Sequence, residues 1–377
     1  MNTMEKNSKL YRMGCLAFFF SGICAMSSGV IVSLLQEYYG FAYSMTGTLL
    51  SLMNIGNLVA GFASAVLPSK IGTRMTVLTL TSGYALGYLF MASGNYLWLV
   101  MLAFLLLGLA KGNAINNCTV LVGNHAPDRT KGMNVMHASY ACGALLGPIL
   151  ITATLLIGRF APMYALAAGG VLLWLVFLAV RFPGKSKQTS DGKKERTDWG
   201  FLKEKKFWLL TALIFCQNAA ETSVTGWMVT YYKGNYTMTI MWGATLIARL
   251  LIAFVFPIKD RFKALAVMGG GCIVLYAALI FSNTGWLAIL MLFAFSFAMA
   301  GVNPTGVAGA GKMLNAASMG IMLPTAGLGA ILMPWIIGLV AEGVSLQAGM
   351  ACNIIPCVGI LVFSLVCRKY EEPAASA

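Results

Sequence analysis

Charge is scarce in this chain. Asp, Glu, Lys and Arg make up 10% of its 377 residues, where a soluble domain carries about 25%. That shortage excludes a string of soluble domains, because too few polar side chains remain to cover them. Histidine is nearly missing, at two residues, so there is no HExxH zinc signature and no Ser-His pairing for hydrolysis. All nine cysteines lie in or at the ends of apolar runs and none belongs to a CxxC pair. They read as small hydrophobes. No metal, redox centre or cofactor is expected, and the chain does not read as an enzyme. Acid is the scarcer sign, with 12 Asp and Glu against 26 Lys and Arg, a formal net charge of +14. The basic residues fall between apolar runs without an aromatic-basic platform, which speaks against nucleic acid and for orientation charge at a membrane face.

What is present is apolar: 59% of the residues are hydrophobic. A bilayer core of about 30 Å asks for about 20 apolar residues in a helix. Twelve segments meet or approach that length: 13–36, 44–67, 74–93, 96–120, 133–157, 162–181, 206–231, 236–257, 264–282, 285–310, 316–340 and 345–367. The first exceeds the h-region of a signal peptide, roughly 7–15 residues, and reads as a span. With both termini placed in the cytoplasm, 22 Lys and Arg fall inside and only Arg159 and Lys233 outside; Lys111 and Arg249 lie within spans. One span more or fewer would invert every later loop and scramble that split. The one long polar connector, 182–205, divides six spans from six, giving bundles 1–181 and 206–377 joined by a cytoplasmic linker.

The two halves repeat. Pro68-x-Lys70-x-x-x-Arg74 returns as Pro257-x-Lys259-x-x-x-Lys263, Asn95-x-x-Trp98-Leu99 as Asn283-x-x-Trp286-Leu287, and GALLGP at 143–148 as GAILMP at 329–334. The offsets are 189, 188 and 186, in chain order. Six spans per half preserve orientation, so the repeats are parallel, related by an axis along the membrane normal. The fold expected is all-α: twelve transmembrane helices in two pseudo-symmetric six-helix bundles around a central cavity.

Two parallel six-helix halves with a long cytoplasmic connector resemble the major facilitator superfamily. AVLPSKIGTR at 65–74 is similar to that family's loop motif between spans two and three, keeping Gly72, Lys70 and Arg74 but carrying Ser69 where the motif has its acid. Four segments resemble the bacterial fucose permease-like sugar branch: HASYACGALLGP at 137–148, AAETSVTGWMVTYY at 219–232, WGATLIARLL at 242–251 and NPTGVAGAGK at 303–312. The resemblance implies alternating access around a central site, often with proton coupling. That branch carries acids in spans one and four, and this chain has none there.

Charge inside a span costs about 2.5–3.5 kcal/mol at the bilayer centre, so Lys111, Glu221 and Arg249 are functional candidates. Gln217, Asn218, Glu221, Thr225 and Tyr232 fall within about a 100° arc of the seventh span, a polar stripe that should face water rather than lipid. There carboxylate and amide groups would bond solute hydroxyls, with Trp227 or Tyr231 stacking on an apolar ring face. Desolvation would favour the protonated acid, which suits Glu221 to proton coupling; the bland alternative is that it ties the helix to a neighbour. Arg249 reads equally as solute contact or interhelical partner. Glu221 lies about 22 Å up from the inner end of its span and Arg249 about 20 Å down from the outer end of its own, a separation in depth of roughly 12 Å that argues against a simple ion pair.

In the fourth span Asn113, Asn116 and Asn117 cluster on one side, read as cavity lining. Lys111 points roughly the other way, so that either Gly112 distorts the helix or Lys111 serves a helix interface. Asn54 and Asn57, candidate solute ligands, share a stripe of the second span with small residues that favour close packing. Asn303, beside Pro304, marks a local break in the tenth span whose freed carbonyls can face a cavity. The reading is a secondary transporter of a small polar organic solute, foremost a sugar or sugar-like compound, with proton coupling through Glu221. An organic-anion carrier and a multidrug or metabolite exporter of the same fold are the alternatives. Expected partners are the solute, the lipid bilayer and protons, for a monomer in the inner (plasma) membrane.

Overall fold

A computed structural model describes residues 3–94, 96–180, 182, 199–256, 258–282 and 285–370. The connector residues 183–198 and the repeat positions Asn95, Pro257 and Asn283 lie outside the described residues. The described chain is helical throughout. Fifteen α-helices build the twelve expected rods: α1 (Thr3–Met26) with α2 (Ser28–Tyr39), then α3 (Tyr43–Ile71), α4 (Thr73–Ala92), α5 (Leu97–His125), α6 (Arg129–Leu155) and α7 (Ala161–Ala179). The second series is α8 (Lys205–Tyr232), α9 (Tyr236–Phe254), α10 (Arg261–Phe281), α11 (Gly285–Met299) with α12 (Val302–Met313), α13 (Ala316–Gly343), and α14 (Leu346–Ala351) with α15 (Ile354–Arg368). Three of the rods are therefore interrupted, near Ser27, Ala300–Gly301 and Cys352–Asn353.

Ten stretches among the described residues are long and apolar enough to cross a membrane. The expected spans that fall short are the seventh and eighth. In α8 the polar side chains Gln217, Asn218, Glu221, Thr222, Ser223 and Thr225 follow one another closely and lower the average; α9 offers a shorter apolar stretch, Tyr236–Ile252. Both owe their weak membrane signal to the residues, or the length, that distinguish them from lipid-facing neighbours. Large apolar side chains that point away from the protein, among them Phe62, Val120, Val267, Val274 and Ile355, are exposed, as a bilayer requires.

The chain divides into two compact units: Met1–Ser190 with Met228–Trp242, and Asp191–Trp227 with Gly243–Ala377. In the first, α1 packs against α5, α6 and α7, and α5 against α3 and α4. Hydroxyls buried between them find partners: the Tyr84 and Ser21 hydroxyls are 3.0 Å apart, and the Tyr88 hydroxyl donates to the Cys24 carbonyl. The short stretch Met228–Trp242 belongs to this unit through the Asn235 amide, which donates to Thr152 Oγ1 at 3.3 Å, and the Trp242 ring, edge-on to Tyr140. At the turn before α7, Arg159 donates to the Tyr38 carbonyl at 2.8 Å and lies over the Tyr38 ring. One of the two cations expected outside is thus absorbed locally. In the second unit α10 packs against α11, α12 and α15, and α13 against α14.

The repeat has a packing reason. A Cβ at Gly143 would run into the Phe19 carbonyl oxygen on α1, and a Cβ at Gly329, its repeat partner, into the Phe215 carbonyl oxygen on α8. In each unit the same position lets two backbones touch, which small residues permit and larger ones forbid. Gly72, the glycine kept from the family-like loop motif, has φ 85°. That positive φ turns α3 into α4 and suits glycine alone among the common residues. Helices that follow loops are capped in the ordinary way: Lys131 N–H donates to Asp128 and Lys263 N–H to Asp260, both at 2.9 Å.

Candidate functional site

The polar stripe read on the seventh span becomes a network within the second unit. Gln217 and Glu221 are one turn apart on α8, so their side chains meet on the same face. Gln217 Nε2 donates to Glu221 Oε2 at 2.5 Å, and Asn303 Nδ2, from the first turn of α12, donates to Gln217 Oε1 at 2.6 Å. Arg249 Nη2, from α9, stands 3.9 Å from Glu221 Oε1. Gln217 is completely buried, while the Glu221 and Arg249 side chains are 30% and 28% exposed. Arg249 Nε is buried without a hydrogen-bond partner. Three helices thus deliver one carboxylate, one guanidinium and two amides to one place.

The ion pair corrects the sequence-based expectation of a roughly 12 Å separation in depth. That expectation measured the two residues from opposite faces of a slab about 30 Å thick. However, α8 has 28 residues, about 42 Å of helix, and overruns such a slab. Measured from the helix ends that the α8–α9 turn joins, Glu221 lies 11 residues from Tyr232 (232 − 221) and Arg249 13 from Tyr236 (249 − 236). The difference is two residues, about 3 Å, which side-chain reach closes.

The remaining candidates on α8 and beside it have other partners. Asn218 donates to the Ala326 carbonyl on α13 at 3.1 Å, and Trp227 Nε1 to the Pro334 carbonyl at 3.2 Å. Trp227 is fully buried; the structure offers no free indole face there for the ring stacking expected of it, because α13 covers it. Thr225 bonds back to the Glu221 and Thr222 carbonyls of its own helix. Tyr231 belongs to the other unit and meets Tyr232 edge to face.

In the first unit Asn113 of α5 departs from the cavity face read in the sequence. Asn113 is completely buried and donates to Thr81 Oγ1 at 2.8 Å and to the Val77 carbonyl at 3.1 Å, both on α4. Asn117 donates to the Asn113 carbonyl and Oδ1 at 2.8 and 2.9 Å. Asn113 thus joins α5 to α4, while Asn117 bonds back to Asn113 on its own helix. Asn54 bonds back to the Leu50 carbonyl, and the backbone of Asn57 lies against Gly112 of α5. Asn116 and Lys111 are half-buried.

One polar residue beside the network escaped sequence reading. Asn353, at the break between α14 and α15, is fully buried and donates to the Ala220 carbonyl, one residue before Glu221. Pro356, in the first turn of α15, was the available signal for a helix start there.

Comparison with known proteins places this architecture. Over 159 residues the chain is 26% identical to the gallate transporter of Pseudomonas putida, covering 42% of this chain and 35% of that protein. Over 263 residues it is 23% identical to the TsgA homolog of Edwardsiella ictaluri (strain 93-146), covering 66% of this chain and 64% of that protein. These matches thus span about a third and just under two thirds of the relatives' lengths. Among solved structures, the nucleoside transporter NupG superposes with a TM-score of 0.74 at 15% identity, covering 99% of this chain and all of that one. A bacterial homolog of the human lysosomal transporter Spinster, inward-facing and occupied, gives 0.68 at 12% identity over 97% of this chain and 96% of that one. At such identities the superpositions speak for the fold alone. The family model for the Major Facilitator Superfamily matches residues 14–323, and with the helical membrane architecture around it, the chain belongs to the Major Facilitator Superfamily.

Proposed function

We propose that this chain is a secondary transporter that carries a small polar organic solute by alternating access, with Glu221 as its proton-coupling group. The observation that carries the reading is the Glu221–Arg249 pair with its two amides, three helices' worth of polarity inside an apolar protein. Intramembrane ionisable groups are retained where they handle a solute or an ion. The pair is close to neutral as a unit, so it suits a neutral, hydroxyl-bearing solute: Glu221 accepts from hydroxyls and Arg249 donates to them. Sugars and sugar-like compounds fit that description, as does the fucose permease-like pattern of the sequence. The nucleoside carried by one structural neighbour is also a hydroxylated neutral solute.

A second reading rests on one further observation. Arg249 Nε is buried and unpartnered, and a guanidinium with a free edge grips a carboxylate in two parallel bonds. That favours an organic acid, in keeping with the gallate carried by one relative. The native orientation in this proposal has both termini in the cytoplasm, following the 22-to-2 distribution of Lys and Arg.

A thermal-shift screen of purified protein against hexoses, hexuronates, nucleosides and hydroxybenzoates separates the readings. Stabilisation by neutral hydroxylated compounds, lost in Arg249→Gln, supports the sugar-like class. Stabilisation confined to carboxylates supports the second reading, and stabilisation only by lipophilic cations contradicts both.

A further inference from the structure

The polar chain Asn303–Gln217–Glu221 has a direction. An amide offers a donor end and an acceptor end. Asn303 donates to Gln217 Oε1, and this leaves Gln217 only its NH2 to offer Glu221. That is the group an ionised carboxylate needs. The opposite direction is equally self-consistent: a protonated Glu221 donates its O–H to Gln217 Oε1, and Gln217 Nε2 donates to Asn303 Oδ1. Gln217 is completely buried, so water has no ready access to satisfy a half-turned amide, and intermediate arrangements are costly.

Asn303 also stands at a place that can move. The tenth rod is interrupted at Ala300–Gly301, and Asn303 is the second residue of α12. Pro304 follows it and has no N–H to give the Ala300 carbonyl, so the junction lacks the bond that would make α11 and α12 one helix. The α-conformation is also disfavoured for a residue before proline.

We infer that Asn303 and Gln217 are positioning residues that tie the protonation of Glu221 to the orientation of α12 at this break. This rests on the reading of Glu221 as the coupling group. With Asn303 donating, the relay holds Glu221 as an ionised acceptor beside Arg249. When a proton from water arrives on Glu221 Oε2, both amides reverse and Asn303 must present its oxygen, which asks α12 to turn or Asn303 to change rotamer. Loss of the proton to water restores the first arrangement. The groups around Glu221 leave this axis uncrowded. Arg249 is the charged residue of α9; α12 carries Lys312 in its last turn. On α13 the ionisable residue is Glu342, eight residues beyond Pro334. The α14–α15 side meets α8 through Asn353 at Ala220 and through Gly359 at Cys216. It carries Cys352, Cys357 and Cys367, with Arg368 at its end.

The test reads Glu221 directly and needs no solute. The carboxylic-acid band of purified protein in nanodiscs is followed by infrared spectroscopy during a pH titration. It is assigned to Glu221 by its loss in the matching Glu221→Gln form of each variant. Asn303→Ala removes the donor that fixes Gln217, so Glu221 should take up its proton at roughly tenfold lower proton concentration. Asn303→Ser, which keeps a hydroxyl donor, should return to the native value. In a Gln217→Leu background Asn303→Ala should have no effect, because nothing remains to relay it. An equal shift in both backgrounds, or no shift in Asn303→Ala while the protein stays monodisperse, overturns the relay. Failure of proton-driven uptake to depend on Glu221 would instead sink the coupling reading, whatever the infrared cycle shows.

Discussion

Arg249 Nη2 stands 3.9 Å from Glu221 Oε1, a pair formed between α9 and α8 with Gln217 bonded to the other carboxylate oxygen. At that distance the two attract as charges without sharing a hydrogen bond. Removing one member strands the other in an apolar setting, and that is costlier than removing both. With about 30% of each side chain exposed, solvent screens part of the cost, leaving about 1–2 kcal/mol for each single loss. Glu221→Gln and Arg249→Gln should therefore each lower the thermal unfolding midpoint in detergent, and the double variant should recover part of that loss. Additive losses would show that the two do not interact.

The repeated glycine predicts a matched pair of defects. Gly143→Val and Gly329→Val each place a side chain against a carbonyl of the neighbouring helix, Phe19 in one unit and Phe215 in the other. Each should cost at least about 2 kcal/mol through helix separation and show as a lowered unfolding midpoint and reduced yield. Gly61→Val, where a Cβ meets nothing within 4 Å, should leave both nearly unchanged.

Asn113→Leu should act on stability more than on solute selection, because the amide joins α5 to Thr81 and Val77 of α4. A hydrogen bond between membrane helices is worth about 0.6 kcal/mol and up to about 1.7, and Asn113 makes two. An unfolding midpoint lowered by several degrees, with the ranking of solutes in the thermal-shift screen preserved, is the expected outcome. A changed ranking would place Asn113 in contact with solute.

Asp260 performs two tasks at the start of α10: it caps the helix through Lys263 N–H and pairs with Arg368 at 3.1 Å. The pair is 40–49% exposed and contributes little, while the cap is worth about 1 kcal/mol. Asp260→Asn keeps a capping oxygen and should unfold near the native midpoint; Asp260→Ala should not. Added salt should leave their difference unchanged, since screening acts on the ion pair rather than on the cap.

The rods were legible because hydropathy is a property of contiguous sequence. The Gln217–Glu221 contact was legible too, being a matter of one helix's own period. The Arg249 pair was not, since depth on one helix had to be matched to depth on another whose overhang no local pattern reveals. Asn113 shows the same limit: periodicity finds a polar face but not whether water or α4 covers a given residue of it. Interruption of the tenth rod was announced by Asn303-Pro304, whereas the break near Ser27 has no proline to mark it.

The measurement that bears most directly on the account is pH-gradient-driven uptake of the best-stabilising solute into proteoliposomes, comparing the native chain with Glu221→Gln. The account predicts that Glu221→Gln loses accumulation by roughly a hundredfold or more, while solute exchange at equal pH persists. Accumulation by Glu221→Gln equal to that of the native chain would contradict it.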